Sequence, residues 1–392
     1  MDHDPAGARA AHGTVAAWGI LAAILFARFA FGYQLQTVAS LGPDLAATFH
    51  LDFAALGALV GAYMLPGIVT ALACGFLAQT IGDRALLGLG MVLMTLGSAA
   101  AALAAGPAGI AASRVVAGGG AVALTVMQGK VLADRFHGPH FLLTLGLMLG
   151  AFPIGIGVGQ IVDAPMAHAF GWRAAFLAGA VPALAGSVLL LASWRGGGHA
   201  GRRRLGWPTR AECALVLVAG LIWAFYNAAF SAFLTYTPSL MAREAAPAWL
   251  TDLVMNAATW GNLPATLFGG AIAARFGPGR VFLVGSLVAI LAVTAIGLGQ
   301  PPLPWGLLFG TVGAVHIGVI VGTGTLSARP ENRAVGMGLF YTMYYLGGTV
   351  FPAVCGWAAD RLGTPGGALL AGAALSALAL PGWALHRRLA AA

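Results

Sequence analysis

The chain has 392 residues, of which 59% are hydrophobic and only 8% charged, with a formal net charge of +8. Soluble domains carry roughly a quarter charged residues, so this composition excludes a water-soluble globular fold and describes a chain built for lipid. Cys74, Cys213 and Cys355 have no spacing suited to a metal site or a disulfide framework, and no nucleotide-binding Gly-Lys-Ser/Thr loop or nucleophile with a nearby base occurs, so neither an enzyme nor a cofactor is expected.

A bilayer-crossing helix needs about 20 apolar residues. Twelve such stretches follow one another, at 15–40, 54–80, 85–106, 108–131, 140–163, 171–194, 212–241, 251–275, 279–299, 303–327, 334–359 and 366–386. The first is too long for a secretory signal and lacks a small-residue cleavage pattern, so it is expected to stay on the mature protein. Pro43 and Pro238, and likewise Gly75 and Gly270, stand 195 residues apart, which predicts two similar six-helix halves, residues 1–195 and 212–392. The linker between them, 196–211, is rich in glycine and arginine. Arginines beside a membrane span fit topology and anionic headgroups, and no nucleic-acid partner is expected. With both termini in the cytoplasm, fifteen of the twenty Lys and Arg lie inside, three (Arg173, Arg243, Arg361) lie outside and two lie within helices. That distribution predicts a multi-pass protein of the cytoplasmic (inner) membrane.

Along the chain, the first helix carries Arg28 about twelve residues in, with Gly32 and Gln36 on the same broad face. The fourth carries Arg114, followed down one stripe by Gly118, Ala121, Thr125 and Gln128. An intramembrane arginine is costly unless a partner, carbonyls or water offset it. All twelve acids are expected at helix ends or in loops, and Asp44, the acid closest in sequence to Arg28, is sixteen residues away. The economical reading is an anionic solute held by guanidinium forks suited to carboxylate-like oxygens. The plainer readings are helix packing for Arg114 and carbonyl bonding for Arg28. The fifth helix crowds Gly146, Gly150, Gly155, Gly157 and Gly159 around Pro153, and the eleventh repeats this with Gly347, Gly348, Pro352 and Gly356, which suggests kinked gate helices or static close packing. The 195-residue offset sets Trp223, Tyr226 and Asn227 of the seventh helix opposite Arg28, Phe31 and Gly32, an aromatic and amide wall that Tyr341 and Tyr345 of the eleventh extend, unless these rings merely pack. His316, inside the tenth helix, is a candidate for proton coupling or a neutral core histidine. His137 and His140 lack a third ligand, so no metal site is expected.

Several segments carry a family pattern. The second helix ends Gly75-Phe-Leu77-Ala78-Gln79-Thr80-Ile-Gly82-Asp83-Arg84 and the eighth Gly270-Ala-Ile272-Ala273-Ala274-Arg275-Phe-Gly277-Pro-Gly-Arg280. Arg114-Val-Val-Ala-Gly118-Gly119-Gly120, Gly171-Trp172-Arg173 and Gly356-Trp-Ala-Ala-Asp360-Arg361-Leu-Gly363 complete the set. Together these resemble the major facilitator superfamily, whose signature is Gly-x-Leu-Ala-Asp-Arg-x-Gly-Arg-Arg. Both copies lack the usual Asp, with Gln79 and Ala274 in its place, which puts the family's cytoplasmic charge latch in doubt.

The resemblance implies an all-α membrane protein of twelve transmembrane helices in two pseudosymmetric bundles that bind solute between them and work by alternating access. It also implies gating roles for Gly75, Gly82, Asp83, Arg84, Pro153, Gly270, Arg275, Gly277 and Pro352. The general look is similar to small-anion permeases of the cyanate-permease group. The expected function is transport of a small anionic solute by a monomer, with a co-transported proton or an exchanged anion. Proton-coupled efflux of lipophilic drugs or neutral solutes, and a non-transporting sensor or assembly factor, are the alternatives.

Overall fold

A backbone in hydrocarbon must satisfy its own N–H and C=O groups, which favours continuous helix. The computed structural model describes residues 5–136, 139–194 and 206–391, and sixteen α-helices with one 3₁₀ turn make up the regular structure of these residues. Residues 196–205 of the linker, and His137, lie outside the described residues.

The elements form the twelve expected crossings. The first is α1 (Pro5–Ser40), tied by the short α2 (Gly42–Phe49) to a broken second, α3 (Phe53–Ala62) and α4 (Gly67–Ile81). Then come α5 (Asp83–Leu103), α6 (Pro107–Arg135), α7 (Pro139–Phe170) and α8 (Trp172–Ser193). The second half has α9 (Arg210–Arg243), α10 (Ala248–Phe276) and α11 (Pro278–Gly297). Its tenth crossing is broken into α12 (Pro302–Gly310), a 3₁₀ turn (Val312–Ala314) and α13 (Ile317–Leu326). It is followed by α14 (Arg333–Leu362) and a twelfth crossing made of α15 (Gly366–Ala377) and α16 (Ala379–Ala391). Ten of these crossings are long and apolar enough to span a membrane by length and composition. The other two, α10 and α14, carry more polar side chains, among them Asn256, Thr259 and Asn262, and Tyr341, Tyr344 and Tyr345.

The internal repeat survives in three dimensions. In the first half α1 packs on α7 and α8; in the second α9 packs on α14 and α15. Gly82 (φ 85°) and Gly277 (φ 89°), again 195 residues apart, hold the left-handed turns that start α5 and α11. A side chain with a Cβ would be strained at either. Lipid-facing stripes such as Leu177, Val181, Leu184, Val188 and Leu191 on α8 stay exposed at three- and four-residue spacing. One expectation needs correction: the fifth crossing does not end at 163. It runs on to Phe170, through Pro165, and so places Asp163 inside a helix, wholly buried.

The two halves meet along a seam at the distal face, opposite the chain termini. Gly57 and Gly61 of α3 lie against the Pro352 and Thr349 carbonyls of α14, and Gly356 lies against that of Phe53. The Asp360 carboxylate accepts the Phe53 and Ala54 amides (2.9 Å each), capping α3 from the other half. The Tyr236 hydroxyl of α9 donates to the Pro352 carbonyl (2.6 Å), with the Phe53 carbonyl 3.0 Å away. Pro352 thus sits in the seam, where its carbonyl meets Gly57 of the first half and the Tyr236 hydroxyl of the second.

A Cβ on Gly57 would stand 2.2 Å from the Pro352 oxygen, too close for any side chain. We therefore expect Gly57→Leu to force the seam apart. With spin labels at Thr48→Cys and Glu244→Cys in a cysteine-free background, the inter-label distance should lengthen relative to the parent.

Candidate solute site and the fate of the buried charges

Arg114 is buried at 3% exposure. Its Nε donates to the Leu59 carbonyl (2.7 Å), Nη1 to Gln34 (3.0 Å) and Nη2 to Val60 (3.4 Å), and its guanidinium lies over the Tyr63 ring at 4.9 Å. The break between α3 and α4 makes this possible. The Tyr63 amide turns back to Val60 and Gly61, and Pro66 has no N–H, so α3 ends with carbonyls in need of a donor. Gln34 completes the hub: its amide donates to the Met94 and Gly179 carbonyls and accepts from the Tyr63 hydroxyl. Five crossings of the first half are joined there. Arg114 thus gives one N–H from each of its three nitrogens to carbonyls of its own half, which favours the packing reading over the solute contact expected of it.

Arg28 has a different environment. Its Nη1 donates to Thr125 Oγ1 (3.2 Å), and its guanidinium stands 5.4 Å from the Phe31 ring and 5.0 Å from that of Phe152. Nε is buried without a partner, and among the described residues no hydrogen bond is made by Nη2 and no carboxylate pairs with the charge. Nε and Nη2 form one edge of the planar fork, the edge suited to bidentate carboxylate. A membrane arginine costs about 3 to beyond 10 kcal/mol, whereas one charge-assisted bond returns about 1.5–3 and aromatic faces about 0.5–2 kcal/mol. The balance leaves Arg28 short of a counter-charge.

The tyrosines of α14 face it: Tyr341, Tyr344 and Tyr345 are all within electrostatic reach of the guanidinium. Tyr344 and Tyr345 are 5.1 Å apart, and Tyr344 continues to Trp223 at 6.0 Å, which stacks on Tyr226 at 5.5 Å. Arg28, Trp223, Tyr341 and Tyr345 thus fall on one belt. Tyr226 instead turns into the second half, edge-on to His316 at 4.9 Å. Asn227 donates to the Trp223 carbonyl of its own helix (2.8 Å).

Gln36 lies eight residues beyond Arg28, about 12 Å along the helix. Its neighbour across the helix contact is Gly159, beside Asp163, not the tyrosines. His316 sits where the tenth crossing breaks, fully buried between Tyr226 and Phe282, with neither ring nitrogen hydrogen-bonded. Tyr344 and Phe152 escaped the sequence-based site, and Thr125 was noted there only as part of the stripe below Arg114, not as a partner of Arg28. Tyr344 had a signal, since Tyr341, Tyr344 and Tyr345 share one helical face by their three- and four-residue spacing.

Among the gating positions, Asp83 forms an ion pair with Lys130 (2.7 Å) at the start of α5, a charge contact within the first half. Arg84 and Arg275 are exposed, and Arg275 lies over the Phe276 ring. A Cβ on Gly270 would meet open space, so no close approach explains that glycine. Gly75 lies within α4, with its surroundings outside the described residues. At Pro153, α7 closes on α1: a Cβ on Gly155 would stand 2.1 Å from the Phe29 carbonyl, and one on Gly32 2.1 Å from that of Phe152. Gly32 therefore packs against α7 and does not line water.

The family model described as Major Facilitator Superfamily matches residues 24–352. An uncharacterized MFS-type transporter of Enterobacter sp. (strain 638) is 30% identical over 145 residues, 36% of this chain and 37% of that protein. The gallate transporter of Pseudomonas putida is 27% identical over 154 residues, 39% of this chain and 34% of that protein. The match thus spans about a third of the length of these curated relatives. The crystal structure of the nucleoside transporter NupG superposes with a TM-score of 0.75 at 14% identity, covering 93% of this chain and 98% of that one, a likeness of fold.

The two arginines should separate experimentally. Arg114→Gln strands carbonyls inside the bundle and should lower the melting temperature of the purified protein by roughly 10 °C, a loss of about 3–5 kcal/mol. Arg28→Gln should leave melting unchanged or raise it. Equal losses in the two variants would contradict the assignment.

Proposed function

Because this chain belongs to the Major Facilitator Superfamily, we propose that it is a secondary transporter carrying a small carboxylate with a planar body, bound between Arg28 and the aromatic belt of Trp223, Tyr341, Tyr344 and Tyr345. The observation that carries this reading is the free Nε–Nη2 edge of Arg28, a buried cationic fork without a carboxylate partner among the described residues. A carboxylate completes it with two parallel bonds, while rings on α9 and α14 shape the rest of the solute. The name of the Pseudomonas putida relative, a gallate transporter, agrees with that class.

Alternating access moves the solute without covalent chemistry, with the distal seam as one of two gates. The distribution of basic residues supports a topology with both termini in the cytoplasm and the distal face outside the inner membrane. The fold needs no second copy to complete the belt, so the working unit is a monomer. An exchanged anion or a co-transported proton would keep such a cycle electroneutral, and facilitated movement of the anion alone is the uncoupled form.

One feature favours a neutral solute instead. The stacked Trp223 and Tyr226 and the tilted Tyr344 offer flat apolar faces of the kind that hold uncharged rings.

Counterflow in proteoliposomes distinguishes the two readings, with benzoate and gallate as anionic probes and uridine as the neutral one. We expect saturable exchange of the anions, reduced about 30-fold or more by Arg28→Gln, as loss of a buried charge partner worth about 2 kcal/mol or more requires. Arg28→Lys should fall between, since it keeps the charge and loses the fork. Exchange of uridine alone, unaffected by Arg28→Gln, would establish the neutral solute.

A further inference from the structure

Asp163 of α7 is 0% exposed, and neither carboxylate oxygen has a hydrogen-bond partner. Around it stand other incomplete polar groups. Tyr33 of α1 is its nearest titratable neighbour, with a buried hydroxyl that makes no bond of normal geometry. Gln36 has a free Oε1, and Gln160 a free Nε2. A Cβ placed on Gly159 would lie 3.4 Å from the Gln36 Cβ and 3.5 Å from Asp163 Oδ2, so these side chains share one small space. Thr37 is occupied, its hydroxyl donating to the Tyr33 carbonyl (3.0 Å).

No cation serves the carboxylate. Arg114 of α6 is bonded to carbonyls, and Arg173 of α8 is turned to the Ala104 carbonyl and the Trp172 ring. On α10 the closest approach to the cluster is Thr259, and Asp252 is exposed at that helix's start; His168, farther along α7, is exposed as well. An ionised carboxylate in this interior, with no cation and only the Tyr33 and Thr37 hydroxyls beside it, is disfavoured, and the group takes a proton instead.

The position gives that proton a consequence. Gln160, one helical turn from Asp163, accepts from Thr259 of α10 (3.1 Å), a contact between the two halves on the distal side. That bond ties the helical turn beside Asp163 to the opposite half.

We propose that Asp163 is a proton-binding site that must be filled for the distal gate to close. The proton adds to one Asp163 oxygen from distal water, and the neutral acid is buried as α7 and α10 meet. On reopening, the proton leaves to water and the carboxylate ionises. The closed state binds the proton more tightly, so acid favours closure and alkali favours opening. The proposal relies on the gate opening, as alternating access requires, and on no particular solute.

The test uses the full-length protein in nanodiscs, in a cysteine-free background with spin labels at Thr48→Cys and Glu244→Cys. The ratio of short to long inter-label distances should rise about tenfold or more from pH 8 to pH 5, within the limit of one bound proton of tenfold per pH unit. Asp163→Asn should hold the short distance at every pH, and Asp163→Glu should respond with a displaced midpoint. Should Asp163→Asn not insert, the parent and Asp163→Glu series decide the matter. A pH-independent distribution in the parent, an unchanged pH response in Asp163→Asn, or closure driven by sodium ions at fixed pH would each overturn the proposal. Solute counterflow is a separate measurement, so failure of the carboxylate assignment would leave this result untouched, and the reverse.

Discussion

A guanidinium placed in a membrane bundle must find acceptors, and the two that this chain buries meet that demand in opposite ways. Arg114 is answered by the backbone: a break in the second crossing frees carbonyls on α3, and the arginine collects them together with the Gln34 carbonyl. Gln34 then reaches α5 and α8, and Tyr63 closes the set. This hub fixes α1 within the first half, and α1 is the helix that presents Arg28. One buried arginine is thereby bonded into the hub that holds the helix carrying the other.

The same logic separates contacts within a half from contacts between halves. At the Arg114–Gln34–Tyr63 hub of the first half the polar groups are buried and multiply bonded. Across the distal seam they are single and replaceable: a tyrosine hydroxyl on a carbonyl, a carboxylate capping a helix from the far side, a threonine on a glutamine. Water can substitute for every one of these, and glycines let the backbones meet without interlocking side chains. A seam so built closes firmly and still parts at modest cost, which a gate requires. The tight glycine contacts of α1 with α7, by contrast, belong to a single half and have no need to open.

Two helices are too polar to read as ordinary membrane spans, and the reason lies in the bundle's interior. α14 supplies the tyrosine belt and half of the seam; α10 supplies the Thr259 contact, while its Asn256 and Asn262 amides bond along their own helix. Polar groups that would be intolerable facing lipid become useful where two halves enclose solute and water. Asp163 adds a titratable group to this interior, wholly buried and one turn from the Gln160–Thr259 contact.

The amino-acid sequence by itself determined the class of the molecule. Its twelve apolar stretches, the 195-residue repeat of Pro43 with Pro238 and Gly75 with Gly270, and the signature around Gly82 and Gly277 follow from composition and spacing, because each helix must separately satisfy its backbone and its lipid contacts. It also singled out Arg28, since a lone charge within an apolar run is visible without any partner. What only tertiary structure decided was which polar groups meet. Arg28 and Arg114 look alike as residues, and nothing in their neighbours along the chain reveals that α3 breaks beside one and tyrosines from 300 residues away surround the other. Asp163, near the expected end of an apolar stretch, passed for an interfacial acid until Pro165 proved to lie within a continuing helix. Hydrocarbon acts on each helix singly and is legible in one dimension, whereas the pairing of buried polar groups is a property of helices brought together.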